Sequence, residues 1–556
     1  SSATTSEFGL FKSLENGATI CNLNIELASG GVSADHTTFV GTIAGTLENS
    51  NAYNLKISTL TSTAYTKVIG ANVSGGAFGR VIGKSNVANI SLENVSVTST
   101  YNENVSTTDK KIKNEYPRTV VYNSDYNKIS ISGGAFGVVD YYDTLSSKTD
   151  EKVTDFLNAT VLSIYVSGGA IIEGMTAGGV AGFVGDLVVA RDLSFTVLKD
   201  AIKPQIIAYN CYAGGIVGFN KGYLYQLKAE HEQEWQTEIE SNMQNYYKAN
   251  GENRESIDRG SLDIFNSDLN YSEIAVGGLV GASYGGKLSI GYSKINVISN
   301  NAKNIGGVVG YVYNINNGNL TQGSEGFVEP LKLNEIYATG DVYSNAEGAF
   351  IGGIIGNNGH YVDKSGSNPA IGTTLTKVTA MNYWGHDAYT KFGKKDANIN
   401  AIIGGGSYVT LEDNDSTVVS LKSIQFEGEE AKEICTSASV FNSYYSYTGV
   451  ASDNGAQIDL MFKEKGWYND HNWTRDLNET FPHIVYVLPT SNYIIETKAD
   501  FYKFILYGRD ADATFIIKGT DKDPIIDCTG WNQTIGLIRG SIVGATDKNG
   551  FKNLKT

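Results

Sequence analysis

The chain has 556 residues, with 43 Lys and Arg against 59 Asp and Glu and a formal net charge of −16. No Lys/Arg run forms a phosphate-tracking stripe, so nucleic acid is not an expected partner. No apolar run reaches the ~18 residues of a membrane span, so no direct membrane insertion is expected in this segment. The 63 Gly beside only 7 Pro argue against disorder and collagen and for tight turns between hydrogen-bonded strands.

In chain order, a degenerate motif appears first, Val40-Gly41-Thr42-Ile43-Ala44-Gly45. Clean copies of Gly-Gly-apolar-apolar-Gly follow at Gly75-Gly76-Ala77-Phe78-Gly79, Gly133-Gly134-Ala135-Phe136-Gly137 and Gly178-Gly179-Val180-Ala181-Gly182. The series continues with Gly214-Gly215-Ile216-Val217-Gly218, Gly277-Gly278-Leu279-Val280-Gly281, Gly306-Gly307-Val308-Val309-Gly310 and Gly352-Gly353-Ile354-Ile355-Gly356. Ile402-Ile403-Gly404-Gly405 closes it. Such recurrence is the mark of a repeat architecture.

Crowding accounts for the pattern. Where a coil bends sharply and its neighbours stack at the ~4.8 Å strand spacing, glycine is expected to supply positive φ and to leave no Cβ to clash. The apolar pair then points into a core shared between windings, because one coil cannot bury its inner face alone. A short turn and an alternating strand follow each copy, as in Lys287-Leu288-Ser289-Ile290. The second glycines lie as close as 29 residues apart (Gly278 to Gly307) and as far as 63 (Gly215 to Gly278). The shortest step approaches the basic unit, and longer steps carry outward loops. The charged stretch Leu224 to Asn250, free of Gly and Pro, is predicted to be a helix projecting from the stack.

These residues resemble the GLUG-motif repeat family of large bacterial surface and secreted proteins. Val276-Gly277-Gly278-Leu279-Val280-Gly281 and Ile305-Gly306-Gly307-Val308-Val309-Gly310-Tyr311 match its central signature. Asn382-Tyr383-Trp384 is similar to the aromatic segment that follows such repeats. Gly466-Trp467-Tyr468 through Trp473, then Phe481-Pro482-His483-Ile484, resembles the family's closing segment. The resemblance covers most of residues 1–488 and implies a repeat type, with no catalytic residue to carry over. From Ser491 the residues look like the opening segment of a new module, so residues 489–556 are expected to begin the next member of a longer tandem array.

Motifs for chemistry are sparse. Cys21, Cys211, Cys435 and Cys528 lie far apart with no CxxC pair, which excludes zinc-ribbon spacing and a disulfide-dense scaffold. His231-Glu232 lacks the second histidine one helical turn on that zinc peptidases need. No Gly-x-Ser-x-Gly elbow occurs, and the glycine motifs lack the Lys-Ser/Thr of a phosphate loop. Asp140/Asp143, Asp413/Asp415, Asp510/Asp512 and Asp521/Asp523 read as solvated turns. Paired carboxylates of a β-helix glycosidase or a loop calcium site are the alternatives. The tyrosine pairs Tyr141-Tyr142, Tyr246-Tyr247 and Tyr444-Tyr445 offer sugar-stacking or self-association surfaces, against a plain reading as ring ladders packed within the stack.

The expected fold is all-β, an elongated parallel β-solenoid over residues 1–488, right-handed by analogy with parallel crossovers, with about 20 coils stacked at strand spacing. The expected function is an extracellular, non-catalytic stalk, sheath or filament at the cell surface that self-associates end to end or side by side. No catalytic residue, cofactor or metal ligand is assigned. An adhesin binding glycans or host proteins through loops and aromatic faces is the alternative, and a β-helix carbohydrate-active enzyme the third reading.

Overall fold

Each motif copy marks a corner between two parallel sheets. In a computed structural model of the chain, the first glycine of each clean copy ends a strand of one sheet, as in Val73–Gly75, Tyr212–Gly214 and Ala275–Gly277. A strand of a second sheet begins three residues on, as in Phe78–Ile82, Val217–Asn220 and Val280–Tyr284. The structure describes residues 7–60, 66–100, 130–140, 159–185 and 188–197 and most of 206–241 and 274–359. From 370 on it describes mainly 373–382, 398–406, 454–475, 481–484, 514–518 and the short strands named below.

The chain divides into two compact units, Ser1–Ala451 and Ser452–Thr556. The first holds four main sheets of ten, ten, twelve and eight strands, and every pairing within them is parallel. Successive strands visit the sheets in turn: Phe39–Gly41 lies in the first, Ala44–Glu48 in the second, Asn51–Thr59 in the third and Thr66–Gly70 in the fourth. Val73–Gly75 then returns to the first sheet and pairs in register with Phe39–Gly41. The first sheet therefore gains one strand at each motif copy and, with Glu7–Phe8, holds ten among the described residues, against the about 20 stacked coils expected from sequence.

The 29-residue step from Gly278 to Gly307 contains a strand of every sheet, so it is one complete circuit. In longer circuits the described strands keep the same order, and the stretches 101–129, 141–158 and 242–273 lie outside the described residues. Register is unaffected, because pairing depends on the strands and not on the length of chain joining them.

The core lies where the inward rows of the sheets meet, including Leu47, Val81 and Val139 of the second sheet and Leu55, Ile90 and Ile164 of the third. The third sheet has an irregularity repeated in nine of its twelve strands. Asn22, Asn54, Asn89, Ser163, Asp192, Gln226, Ile290, Glu335 and Lys377 all have φ between 48° and 59°. In a regular strand, residues three apart face opposite sides. One left-handed residue resets the phase, so Val87 and Ile90, Val161 and Ile164, and Leu224 and Leu227 all face the core.

The helix predicted over 224–250 is not found where those residues are described. Tyr223–His231 is a strand of the third sheet and Glu238–Ser241 one of the fourth, while 232–237 and 242–250 lie outside the described residues. A charged stretch free of Gly and Pro suits either element, and here register decides: Tyr223–Ala229 pairs with strands on both sides while Leu224, Leu227 and Ala229 enter the core.

The reason given for the motif glycines is corrected in one half. Among the described residues the positive-φ glycines are others, such as Gly17, Gly83 and Gly286; no motif glycine is one of them. Their requirement is steric. A Cβ on Gly178 would lie 1.9 Å from the Ala181 carbonyl oxygen, and one on Gly179 would lie 2.1 Å from the Gly215 oxygen. Neighbouring windings meet here through backbone: Gly134 N–H donates to the Gly178 carbonyl at 3.1 Å and Gly179 N–H to that of Gly214 at 3.2 Å.

The second unit contains the helix Asn454–Glu464 and a three-stranded parallel sheet of Tyr493–Ile495, Thr514–Ile517 and Ser541–Gly544. Trp467, fully buried, packs on Phe462 and Trp473 with ring centroids 4.4 and 5.2 Å away. The tryptophans of the predicted closing segment thus form a small core of their own.

Candidate functional site: an aromatic face

Beyond the main core, two outward rows pack on one another across the Gly-Gly corner. The first sheet contributes Phe39, Val73, Ile131 and Tyr212, and the second contributes Val138, Phe183, Phe219 and Tyr311. The rows are continuous because registry is kept from circuit to circuit: Arg80 pairs with Val138, Val138 with Phe183 and Phe183 with Phe219.

The character of this face changes along the rows. At its start Arg80 donates to Glu7 (Nη2 to Oε1, 3.1 Å) and to Thr46 Oγ1 (2.8 Å), while the Thr46 hydroxyl donates to Glu7 at 2.7 Å. The guanidinium also lies over Phe39, 4.1 Å from the ring centroid. With Arg80 and Glu7 side chains only 4% and 12% exposed, the charges are paired and hydrogen-bonded, which is what makes their burial tolerable. In the middle the face is aromatic. Phe183 stacks on Phe219 at 5.9 Å, Tyr212 and Tyr313 flank Phe219 at 5.4 and 6.0 Å, and the Tyr212 and Tyr313 hydroxyls hydrogen-bond. Tyr284 and Tyr313 remain half-buried, and the Lys221 ammonium sits 5.5 Å from the Tyr284 centroid. Towards the end of the rows, Asn357 donates to Asn304 at 2.9 Å.

Cys211 is buried in this face, and burial pushes its thiol up to about 12, opposed by a hydrogen bond with Thr176. Such a thiol is not a nucleophile at neutral pH. The other described cysteine, Cys21, is exposed.

Of the predicted aromatic surfaces, Tyr141-Tyr142 and Tyr246-Tyr247 lie outside the described residues, and Tyr444–Tyr445 forms a strand pairing with Ser420 and Leu421. Sequence reading missed the actual aromatic row. Its residues are dispersed over several circuits, and the register aligns them. The acidic pairs fare similarly. Asp140 ends a second-sheet strand and is buried, not in a solvated turn, because it continues the Phe136–Asp140 strand; Asp143 and the other three pairs lie outside the described residues. Among the described residues no group of three or more His, Cys, Asp or Glu is placed to hold a metal ion. The buried Glu335 carboxylate pairs with Lys377 at 3.4 Å, and that of buried Asp192 accepts from the Tyr165 hydroxyl.

The second feature is the rung at the start of all four sheets. Among the described residues, Glu7–Phe8, Phe11–Leu14, Thr19–Leu27 and Val32–Ala34 each pair with one neighbouring strand. Phe8, Leu10 and Phe11 are 42%, 63% and 42% exposed, although later rungs bury the corresponding row. No helix among the described residues is long and apolar enough to cross a membrane.

No family model matches the chain, and no curated protein or solved structure does so either.

Proposed function

We propose that the unit spanning residues 1–451 is a parallel β-solenoid and that the protein is a non-catalytic structural element of the cell surface, a stalk, sheath or filament. The observation that carries this reading is the unbroken in-register growth of each sheet by one strand per circuit. Stability in such a stack adds along the axis, which suits a stiff spacer. The four sheets are then the faces of one coil. The surface location rests on the likeness of the Gly-Gly-apolar-apolar-Gly signature to GLUG repeats. Small-angle scattering and negative-stain microscopy of the full chain test the architecture: a rod is expected, and a compact sphere would overturn it. Proteolytic shaving of intact producing cells tests the location, with loss of the protein from the surface expected and its full protection contradicting it.

A second reading, adhesion through the aromatic face, is favoured by the half-buried Tyr284 and Tyr313 beside Lys221. Tyrosine rings with a nearby cation suit stacking on sugars. Binding on a glycan array that disappears in the Tyr284→Ala, Tyr313→Ala double variant would establish it. Binding unaffected by the pair would dismiss it.

A further inference from the structure

We infer that Tyr284 and Tyr313 form an oxidative cross-linking site, at which two adjacent strands of the second sheet become joined through dityrosine.

Register brings the rings together. Among the described residues, two pairs of tyrosines stand opposite each other on neighbouring strands, Tyr284 with Tyr313 in the second sheet and Tyr292 with Tyr337 in the third. Parallel strands lie ~4.8 Å apart, so each pair holds two phenols side by side although a circuit separates them in sequence. The pairs differ in access and in ring geometry. Tyr292 and Tyr337 are 1% and 0% exposed and lie nearly flat on one another, at 5.3 Å and 13°. The Tyr292 hydroxyl also donates to Glu230 at 2.8 Å. Tyr284 and Tyr313 are half-buried, with centroids 6.2 Å apart and planes inclined at 49°. An oxidant reaches this pair from solvent. Inclined rings meet through an edge, and the carbons that couple lie on the edge.

The surroundings favour Tyr313 as the first ring to react. A neutral phenol that loses an electron must also shed its proton, so an oxygen already in place to receive that proton eases the oxidation. The Tyr313 hydroxyl is hydrogen-bonded to that of Tyr212, and a phenol oxygen accepts as well as donates. With Tyr313 as donor, the Tyr212 oxygen takes the proton as the electron leaves.

The step balances with hydrogen peroxide as oxidant, acting through a peroxidase. Each phenol gives up one electron and its hydroxyl proton. The two radicals join through a ring carbon next to each hydroxyl-bearing carbon, and the hydrogens on those two carbons pass to the phenolic oxygens as the rings regain aromaticity. Peroxide takes up the two electrons and two protons and leaves as two waters. The bond closes a loop between residues 29 apart, which restricts the unfolded chain and so resists unfolding.

The test is oxidation of the full chain at submicromolar concentration with a haem peroxidase and limiting hydrogen peroxide. Dityrosine fluorescence and mass spectrometry of the tryptic digest read the product. The expected result is a monomer two hydrogens lighter, in which peptide 260–287 is joined to peptide 304–332 through Tyr284 and Tyr313, with a urea midpoint above that of the unoxidised chain. Tyr284→Phe and Tyr313→Phe should each remove that product, Tyr292→Phe should leave its yield unchanged, and Tyr212→Phe should slow its formation several-fold. Circular dichroism confirms that each variant is folded. Dityrosine found only between molecules, a bond confined to Tyr311 and Tyr313, equal yield from the urea-unfolded chain, or a rate indifferent to Tyr212→Phe overturns the inference. Glycan binding by the same rings is read on the unoxidised chain, so failure of the cross-link leaves the adhesion reading standing.

Discussion

At Gly179 a Cβ would meet the Gly215 carbonyl oxygen at 2.1 Å and Phe195 Cγ at 2.6 Å, whereas at Gly30 it would meet nothing within 4 Å. The first clash involves backbone held by rung-to-rung hydrogen bonds, so relief requires moving two windings apart. Gly179→Ala is therefore expected to lower the unfolding free energy by about 3 kcal/mol, at the upper end for overpacking, and Gly30→Ala to leave it within about 0.5 kcal/mol, as for a typical surface change. Chemical denaturation of the two variants compares them directly. The described cysteines differ just as sharply. Cys21, exposed, should be alkylated by iodoacetamide at pH 8 in the native state. Cys211, buried with its thiol raised to about 12, should be modified only after unfolding. Peptide mass spectrometry after timed labelling checks both, and native labelling of Cys211 would show that the aromatic face opens.

Among the elements, the third-sheet strands show how one residue alters a whole strand. Without the left-handed residue, Ala52 and Leu55, or Val87 and Ile90, would face opposite sides, and half of the strand's apolar residues would be lost from the core. Asparagine suits the position twice over: it tolerates positive φ, and its amide bonds to the next rung, Asn54 to Asn22 and Asn89 to Asn54. Asn54→Leu removes both advantages and is expected to cost about 2–3 kcal/mol, from left-handed strain of about 1–2 and lost hydrogen bonds of about 1. Asn54→Gly keeps the backbone freedom and should cost about 1 kcal/mol less than Asn54→Leu. Urea midpoints of the two variants separate the contributions; equal loss would mean that the backbone conformation is not what asparagine supplies.

For the whole molecule, stacking makes protection depend on position. Strands such as Asn86–Glu93 and Val188–Val197 pair on both sides, while Thr19–Leu27 pairs on one. Hydrogen exchange at low protein concentration should therefore be fastest at residues 7–27 and slowest in the middle rungs, because end rungs open without breaking the rest. Uniform exchange along the sheets would contradict a stack of nearest-neighbour units.

The all-β character, the parallel sheets and the corner positions were legible in the sequence, because crowding at a backbone-to-backbone contact leaves glycine as the one acceptable residue and marks each circuit with the same letters. The 29-residue circuit was legible for the same reason. The phase reset was not: Asn22, Asn54 and Asn89 repeat before Leu or Ile, but Asp192, Gln226 and Lys377 occupy the same backbone site without sharing a chemistry. The aromatic face and the Arg80–Glu7 pair lay beyond reach as well. Their members stand whole circuits apart, and nothing local in Phe183, Tyr212 or Tyr313 states that they touch. Local sterics act on neighbouring residues and leave their record in sequence, whereas a contact made by registry exists only once separate windings are laid side by side.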